Sequence, residues 1–278
     1  MQLIQLRDKQ IVWTAKFIRI LGAIGYGRSL LEKVGRTHAG ATLFRSMLGY
    51  RSSFQTLNEA EMAVKPYAKG GHENPTNFAL HLELNRVARP SDYAAFYYLR
   101  DRVAGVRKVF DLGGNVGNLY YCYKDYLKMP EDLIWSVYDL PETVSRGRIL
   151  ASTRNAKNLQ FTGDLGWAAN ADLFIASGSL HYFDKSLPHL LEGVGARPKY
   201  ILINRAPLTE GPEFAVVQDA GHIRVACMLY NRSKLLADFA RLGYGLLGEW
   251  QAAELCLPVL DRPSSTIRSY TGLWLERQ

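Results

Sequence analysis

The sequence predicts an α/β fold built on a doubly wound, mostly parallel sheet of seven strands. From residue 108 onward, short apolar runs alternate with longer amphipathic stretches, which is the order of strands and crossover helices. Strands joined in this way pair in parallel, because a parallel pair needs a long connection. Two closing apolar runs, residues 244–251 and 268–276, predict an antiparallel pair at one edge.

Two segments precede this pattern. Residues 1–51 carry nine Lys/Arg against two Asp/Glu and predict a basic helical arm, with one or two helices over 11–34. Residues 52–90 contain turn signals and predict a connecting segment that partly covers a site. Residues 91–278 are the predicted main domain, which begins with a helix capped by Ser91.

The elements of the main domain are predicted in order from apolar periodicity and from turn and cap residues. Pro141 begins one helix and Gly243 ends another, as their backbone preferences favour. The predicted strands cover 108–112, 133–139, 159–162, 172–177, 199–204 and about 213–218, before the closing pair. The predicted helices cover 92–103, 116–128, 142–154, 185–194 and 232–242.

The net charge of +8 is concentrated in the arm, which carries +7 and leaves +1 on the remaining residues. A near-neutral body argues against a nucleic-acid-binding surface. The charge-free stretch of the arm, residues 20–27, is too short to span a bilayer. Two interpretations of the arm stay open: packing on the body or in a homodimer, and peripheral contact with an acidic membrane surface.

Cysteine usage predicts a reducing compartment. Cys122, Cys227 and Cys256 lie far apart and read as buried small apolar residues. The first residues lack the order of a secretory signal, so a cytoplasmic location is expected. No motif with metal-ligand spacing is present, so no metal is predicted, and His72 and His81 of the connecting segment carry no distinctive spacing.

The most informative segment is residues 108–118, Lys-Val-Phe-Asp-Leu-Gly-Gly-Asn-Val-Gly-Asn. An apolar run ends in Asp111, a glycine turn follows, and a helical pattern begins, so backbone amides can approach a ligand closely. A carboxylate at this place repels phosphate and suits a cationic or amine-bearing ligand. The segment therefore favours S-adenosylmethionine (SAM) over a dinucleotide.

The glycine spacing tests the dinucleotide interpretation directly. The fingerprint G-x-G-x-x-G needs a second glycine two positions after the first. Asn115 stands there when the frame starts at Gly113, and Val116 stands there when it starts at Gly114. This spacing disfavours a nicotinamide-dependent oxidoreductase.

The same turn resembles the first motif of the class I methyltransferases, in the form Asp-x-Gly-Gly-Gly-x-Gly of small-molecule O-methyltransferases. Asn115 replaces the middle glycine, and asparagine tolerates the left-handed backbone better than other side chains do. Residues 139–144, Asp-Leu-Pro-Glu-Thr-Val, resemble the Asp-Leu-Pro-x-Val segment of these enzymes. The resemblance implies a Rossmann-like class I methyltransferase sheet.

The resemblance also implies a set of cofactor contacts. The methionine end of SAM would lie at the turn and its leading acid, the ribose at Asp139, and the adenine amino group at an acid in a Gly-Asp pair. The residues that match these places, together with the neighbours of Asp139 and the segment after the fourth strand, are Asp111, Gly113, Gly114, Asn115, Gly117, Asp139, Leu140, Asp164, Ser177 and Gly178.

His181 is the predicted catalytic residue, because a neutral imidazole can take a hydroxyl proton as a methyl group transfers. Its position matches the Leu-His-Asp-Trp segment of O-methyltransferases, whose histidine is the general base. Here Tyr-Phe-Asp follows the histidine instead. The other interpretation is a histidine that caps the following helix or hydrogen-bonds within its loop.

From about residue 50 onward, the chain resembles a largely uncharacterised group of bacterial methyltransferases. The matching segments include the Gly-Gly motif, residues 176–180 and residues 197–207. Members of that group occur among surface-polysaccharide and secondary-metabolite genes, which leaves the acceptor open. The sequence therefore predicts a SAM-dependent biosynthetic methyltransferase acting on a small molecule, most simply at a hydroxyl oxygen. The alternative is a non-catalytic adaptor with a methyltransferase-like body that docks to a membrane or partner through the arm.

Overall fold

The computed structural model describes residues 17, 20–21, 24–40, 53–65, 86–219, 224–257, 259 and 262–278. The helices described are α1 (Gly25–Gly35), α2 (Leu57–Val64), α3 (Pro90–Leu99), α4 (Asn118–Tyr123), α5 (Pro141–Thr153), α6 (Leu187–Gly193) and α7 (Arg232–Arg241). The strands are β1 (Ser53–Phe54), β2 (Lys108–Leu112), β3 (Ile134–Tyr138), β4 (Leu159–Thr162), β5 (Leu173–Ser177), β6 (Tyr200–Ala206), β7 (Phe214–Asp219), β8 (Arg224–Leu229), β9 (Tyr244–Ala252) and β10 (Tyr270–Arg277).

Seven strands form the main sheet, in the order β4-β3-β2-β5-β6-β10-β9. The first five pair in parallel, and β10 runs antiparallel to both β6 and β9. The predicted doubly wound, mostly parallel sheet with an antiparallel edge pair is therefore confirmed. This arrangement is the one that the class I methyltransferase resemblance implied.

Both faces of the main sheet are covered by helices, because its strands are apolar on both sides. In β2, Val109 packs in a core with α3, α4 and α5, whereas Phe110 and Leu112 pack in a second core with α6 and α7. Successive strand residues point to opposite faces, so this alternation produces three layers. Because helices cover both faces, the sheet is open where its strands begin and end.

The predicted strand near 213–218 is not part of the main sheet. It is β7, and it forms a three-stranded antiparallel sheet in the order β1-β7-β8, in which β8 was not predicted. Ala215 and Val217 pack against α1 and α2, whereas Phe214 and Val216 pack toward the loop between β9 and β10. A strand buried on both faces looks, in sequence, like a strand of the parallel sheet.

The first helix of the main domain begins earlier than predicted. α3 starts at Pro90, and the carboxylate of Asp92 accepts a hydrogen bond from the backbone N–H of Arg89 (2.9 Å). Ser91 is therefore inside the first turn and is not the cap. Phe96 of this helix is buried, whereas Tyr93 and Tyr97 are exposed.

Other predictions of detail were also corrected. α4 ends at Tyr123 rather than near residue 128. Cys122 and Cys227 are buried as predicted, but Cys256 is exposed. Across the described ranges, no helix combines the length and apolarity that crossing a membrane would need.

Much of the arm and of the connecting segment lies outside the described residues, including His72 and His81. The described part of the arm contains α1, with Leu31 packed against α2 and the small sheet. The division at residues 51 and 90, the homodimer and the membrane contact stay predictions.

Candidate functional site

The predicted site residues follow the carboxyl ends of neighbouring strands and lie along one edge of the main sheet. β3 pairs with one side of β2 and β5 with the other, so the strand order reverses between β2 and β5. In open α/β sheets, ligands bind in the crevice outside the strand ends at such a reversal. The glycine turn after β2 and the end of β5 flank this crevice.

The glycine turn needs glycine at two positions for different reasons. Gly113 has φ 68°, and its N–H donates to the carbonyl of Tyr138 at the end of β3 (2.8 Å). A β-carbon on Gly113 would lie 2.5 Å from that of Ser179. Gly117 has φ 89° and is the N-cap of α4. Because glycine lacks a side chain and tolerates the left-handed conformation, the backbone of the turn can lie close to the crevice at both positions.

Gly114 and Asp111 pack directly on one another. A β-carbon on Gly114 would lie 2.4 Å from Oδ2 and 2.5 Å from Cγ of Asp111. Asp111 is only 1% exposed, and its Oδ2 accepts a hydrogen bond from Trp135 Nε1 (3.1 Å). The carboxyl group therefore supports the turn from the sheet side and does not line the open crevice, where the sequence had placed it.

Burial raises the pKa of Asp111 from 3.8 to about 7. The hydrogen bond from Trp135 lowers it, and the negative charge of Asp139 raises it further. A titratable group with a strongly shifted pKa beside a crevice marks a functional candidate. Asp111 therefore changes charge near neutral pH directly beneath the glycine turn.

Asp139 follows β3 and holds the turn in place. Its Oδ2 accepts the N–H of Asn115 and its Oδ1 accepts the N–H of Leu140, each at 2.8 Å. A carboxylate has about four lone-pair sites and can therefore accept several hydrogen bonds at once. Leu140 is 44% exposed and places an apolar side chain beside that carboxylate.

Asn115 adopts the left-handed backbone region, with φ 55°. Its side-chain Oδ1 accepts the N–H of Val116 (2.9 Å), so the side chain is tied to its own turn. Asparagine is the non-glycine residue type that best tolerates this conformation. The replacement of the middle glycine is therefore accommodated within the turn.

Asp164 follows β4 at the same edge. Its Oδ1 accepts the N–H of Gly166 (2.8 Å), and it caps a 3₁₀ helix, Leu165–Asn170. The residue is exposed, and its own N–H donates to Thr162 Oγ1 (2.9 Å). Asp164 thus forms a local turn at a place where it is accessible to a ligand.

The end of β5 is bonded to both neighbouring strands. The N–H of Gly178 donates to the carbonyl of Asn204 in β6 (2.8 Å), and Ser179 Oγ donates to the carbonyl of Leu112 in β2. Gly178 has φ 74°, and the place of its absent β-carbon is open space. Sequence reasoning missed Ser179, although a small polar residue just after a strand-end glycine was a usable signal.

His181 lies after β5 in a 3₁₀ helix, Leu180–Tyr182, and is 3% exposed. Its ring centroid is 4.2 Å from that of Tyr182 and 5.9 Å from that of Tyr270, at the start of β10. The 3₁₀ helix also contacts β8 of the small sheet. The imidazole is therefore packed beneath neighbouring rings, and its role as general base stays a prediction.

A buried ionic network near this edge was missed by the sequence reasoning. Arg205, at the end of β6, pairs with Asp92 of α3 and donates to Ser91 Oγ (3.0 Å) and Ser177 Oγ (2.9 Å). Glu254 Oε1 lies 3.7 Å from Arg205 Nε. The available signal was a polar pair, Asn204 and Arg205, directly after the apolar residues 200–203.

A separate surface groove follows the sheet edge at β4 and α5. Its lining includes Arg148, Gln160, Phe161 and Trp167. It runs along the edge strand and not across the strand ends, so it is not part of the candidate site. In the portion of the chain that the structure describes, no group of three or more His, Cys, Asp or Glu is placed to hold a metal ion.

The donor and acceptor groups of the crevice fit a nucleoside bearing a cationic, amine-containing chain. Asp139 offers carboxylate oxygens to paired hydroxyls, and Leu140 offers an apolar surface beside them. The turn allows close approach of the backbone, and Gly178 leaves open space opposite it. The carboxylate of Asp139 suits a positive ligand better than a phosphate, and Asp111 adds a second negative charge where it is ionised, above about pH 7.

Only the comparison with solved structures found proteins similar to this chain. No protein-family model matches the chain, and no curated protein matches it. The chain is similar to the mitomycin 7-O-methyltransferase MmcR, with TM-score 0.45, 16% identity and coverage of 74% of this chain and 59% of that one. It is similar to the glycopeptide N-methyltransferase MtfA complexed with SAM, with TM-score 0.44, 13% identity and coverages of 69% and 95%.

A third similar structure is the CcbJ methyltransferase from Streptomyces caelestis, with TM-score 0.46, 11% identity and coverages of 68% and 90%. The chain spans about three fifths of the length of MmcR. At such identities the likeness concerns the fold alone. The fold assignment rests on the strand order and directions of the main sheet.

Proposed function

We propose that this protein is a SAM-dependent methyltransferase that acts on a small-molecule acceptor, at a hydroxyl oxygen. The observation that carries the proposal is the contact between the glycine turn and Asp139 beside the strand reversal, where the Asn115 N–H lies 2.8 Å from Asp139 Oδ2. A carboxylate so placed offers acceptors to ribose hydroxyls, next to a turn that lacks dinucleotide spacing.

Each predicted residue has a place in this proposal. Asp139 accepts the ribose hydroxyls, Leu140 packs beside them, and Asp164 receives the adenine amino group. The backbone of Gly113, Gly114, Asn115 and Gly117 borders the methionine end, and Ser177 with Gly178 forms the opposite wall. Asp111 acts through the turn that it supports and through its charge.

Bound SAM supplies a methyl group on a positively charged sulfur. The protein contributes mainly by orienting the acceptor in line with that group, since positioning alone accounts for a large part of such a barrier. For a hydroxyl acceptor, an oxygen lone pair forms the new bond to carbon while the carbon–sulfur electron pair returns to sulfur. The hydroxyl proton must also leave, and we propose His181 as its acceptor.

We expect isothermal titration calorimetry to detect binding of S-adenosylhomocysteine (SAH) to the wild type. Asp139→Ala should weaken that binding at least about 100-fold, because it removes ribose acceptors and loosens the turn at Asn115. Undetectable binding to well-folded wild type would overturn the cofactor assignment. It would favour a non-catalytic adaptor, which does not need SAM.

Asp101→Ala is the matched control for this measurement. Asp101 is an exposed aspartate whose carboxylate contacts Arg100, just after α3 and away from the strand-end edge. Its replacement should leave SAH affinity unchanged. Equal losses in both variants would mean that the Asp139 effect is not local to the crevice.

The proposal for His181 is tested once an acceptor has been found by screening hydroxyl compounds with methyl-labelled SAM. We expect His181→Gln to lower turnover by about 10²- to 10⁴-fold while SAH affinity is retained. Glutamine preserves most of the packed volume beside Tyr270, which limits loss of stability. Unchanged turnover would remove His181 from the mechanism.

A further inference from the structure

Arg205 is a charged residue in the interior of the protein. It follows the apolar residues 201–203 of β6 and is 4% exposed. β6 is the parallel neighbour of β5, and Ser177 pairs with Asn204 in the strand register. Arg205 therefore lies one residue beyond the partner of Ser177, which is the last residue of β5 and borders the proposed crevice.

The guanidinium group connects three parts of the chain. Nη2 pairs with the carboxylate of Asp92 in α3, and Nε donates to Ser91 Oγ in the same helix. Nη1 donates to Ser177 Oγ at the end of β5 (2.9 Å). Glu254, beyond β9, accepts from Ser91 Oγ and lies beside Nε. One side chain therefore holds α3, the loop after β9 and the crevice wall in a common geometry.

The contact with Ser177 decides what that hydroxyl can do. Ser177 Oγ accepts a hydrogen bond from Arg205, and a serine hydroxyl has one hydrogen of its own to donate. A donor that already accepts from a cation is polarised, which strengthens the bond it donates. Ser177 is half-buried, whereas Arg205 is closed off from solvent, so Ser177 is the member of this pair that is partly accessible at the strand end.

The backbone of Arg205 supports a role beyond stability. Its φ is 57°, a left-handed conformation that costs roughly 1–2 kcal/mol for a side chain of this kind. Such a conformation persists only where the surroundings determine it, and it is common at functional sites. A buried ion pair adds little net stability compared with apolar packing, so stability alone does not explain this network.

We propose that Arg205 is a positioning residue of the methyl-transfer site, which fixes the Ser177 hydroxyl as a hydrogen-bond donor to the ligand in the crevice. Arg205 acts through Ser177 and does not itself touch the ligand. The proposal rests on the proposed SAM-dependent function, and it assigns a role to a residue for which the motifs imply none.

The test is a double-mutant cycle on SAH affinity, measured by calorimetry. Ser177→Ala should weaken SAH binding about 10-fold, and Arg205→Met about 10- to 100-fold, the range that supporting residues of binding sites show. The double variant should bind SAH no more weakly than Arg205→Met does. Once Ser177 has lost its hydrogen bond from Arg205, removing its hydroxyl should have no further effect on SAH affinity. Losses that multiply in the double variant would overturn the proposal.

Arg205→Lys keeps the test informative if Arg205→Met does not fold. An ammonium group cannot span Ser177, Ser91 and Asp92 together, so this variant should also lose about 10-fold. Wild-type affinity in both Arg205→Lys and Ser177→Ala would overturn the proposal.

Arg102→Met is the matched control. Arg102 pairs with Glu276 near the end of β10. This ion pair lies where the parallel strands begin, at the end of the sheet opposite to the proposed crevice. Removing that ion pair should leave SAH affinity unchanged, and a loss equal to that of Arg205→Met would overturn the positioning role. Wild type that fails to bind SAH would instead reject the proposed function, so the two failures are distinguishable.

Discussion

Replacement of Gly114 by alanine is expected to abolish SAH binding and to lower the free energy of unfolding by about 1–3 kcal/mol. The new β-carbon would lie 2.4 Å from Asp111 Oδ2 and 2.5 Å from its Cγ. Neither group can yield easily, since the carboxyl is buried against Trp135 and the glycine is part of the turn. The backbone of the turn must therefore move, and with it the amide that Asp139 holds.

Gly163→Ala is the matched control for this substitution. Gly163 precedes Asp164 at the same edge of the sheet, and nothing lies within 4 Å of the place of its absent β-carbon. We expect this variant to retain SAH affinity and stability within about 0.5 kcal/mol. Calorimetry and urea denaturation of both variants make the comparison.

A double variant separates the two expected effects of Gly114→Ala. Asp111→Ala removes the atoms that the new methyl group meets, so the double variant should recover part of the lost stability. It should not recover SAH binding, because the turn then lacks its supporting carboxyl. Recovery of both properties would show that Asp111 has no role in binding.

The main sheet was predictable because its signals are local. The strands from β2 to β6 are short, mainly apolar runs, and helical patterns follow β2, β3 and β5, with Pro141 marking the start of α5. Parallel pairing then follows from the connection lengths. The glycine turn was likewise visible, since positive φ at Gly113 and Gly117 is a property of single residues.

The rest depends on contacts between distant parts of the chain. Arg205 and Ser91 are 114 residues apart, and no local pattern links them. The burial of His181 depends on Tyr270 and on β8, a strand that sequence periodicity missed. Motifs therefore placed the candidate residues after the carboxyl ends of neighbouring strands, but they did not predict which of those side chains are buried.

Asp111→Asn is expected to make stability less dependent on pH and to stabilise the protein above pH 7. The pKa of Asp111 is about 7 in the folded protein, against 3.8 as the reference value, chiefly because burial disfavours the charge. Between these values the folded state binds more protons than the unfolded state. The free energy of unfolding therefore falls as the pH rises from about 4 to about 7.

The expected size of this effect is large for one residue. A shift of about three pKa units corresponds to a loss on the order of 4 kcal/mol, of which about 2–3 kcal/mol falls between pH 5 and 8. Asparagine keeps an acceptor for Trp135 Nε1 at nearly the same volume but carries no charge. Urea denaturation of both proteins at pH 5, 6, 7 and 8 measures the difference, in which the other titrating groups cancel.

Asp111→Asn should therefore be more stable than the wild type above pH 7 and bind SAM more weakly. This combination would indicate that the charge of Asp111 serves binding. A buried carboxylate that costs stability near neutral pH is retained most simply because its charge serves binding. SAM carries a positive sulfonium that SAH lacks, so Asp111→Asn should weaken SAM binding at pH 8 more than SAH binding. If the free energies of unfolding of the wild type and of Asp111→Asn change in parallel between pH 5 and 8, Asp111 does not ionise in this range. If Asp111→Asn loses affinity for SAM and SAH equally, the role of Asp111 is limited to supporting the turn.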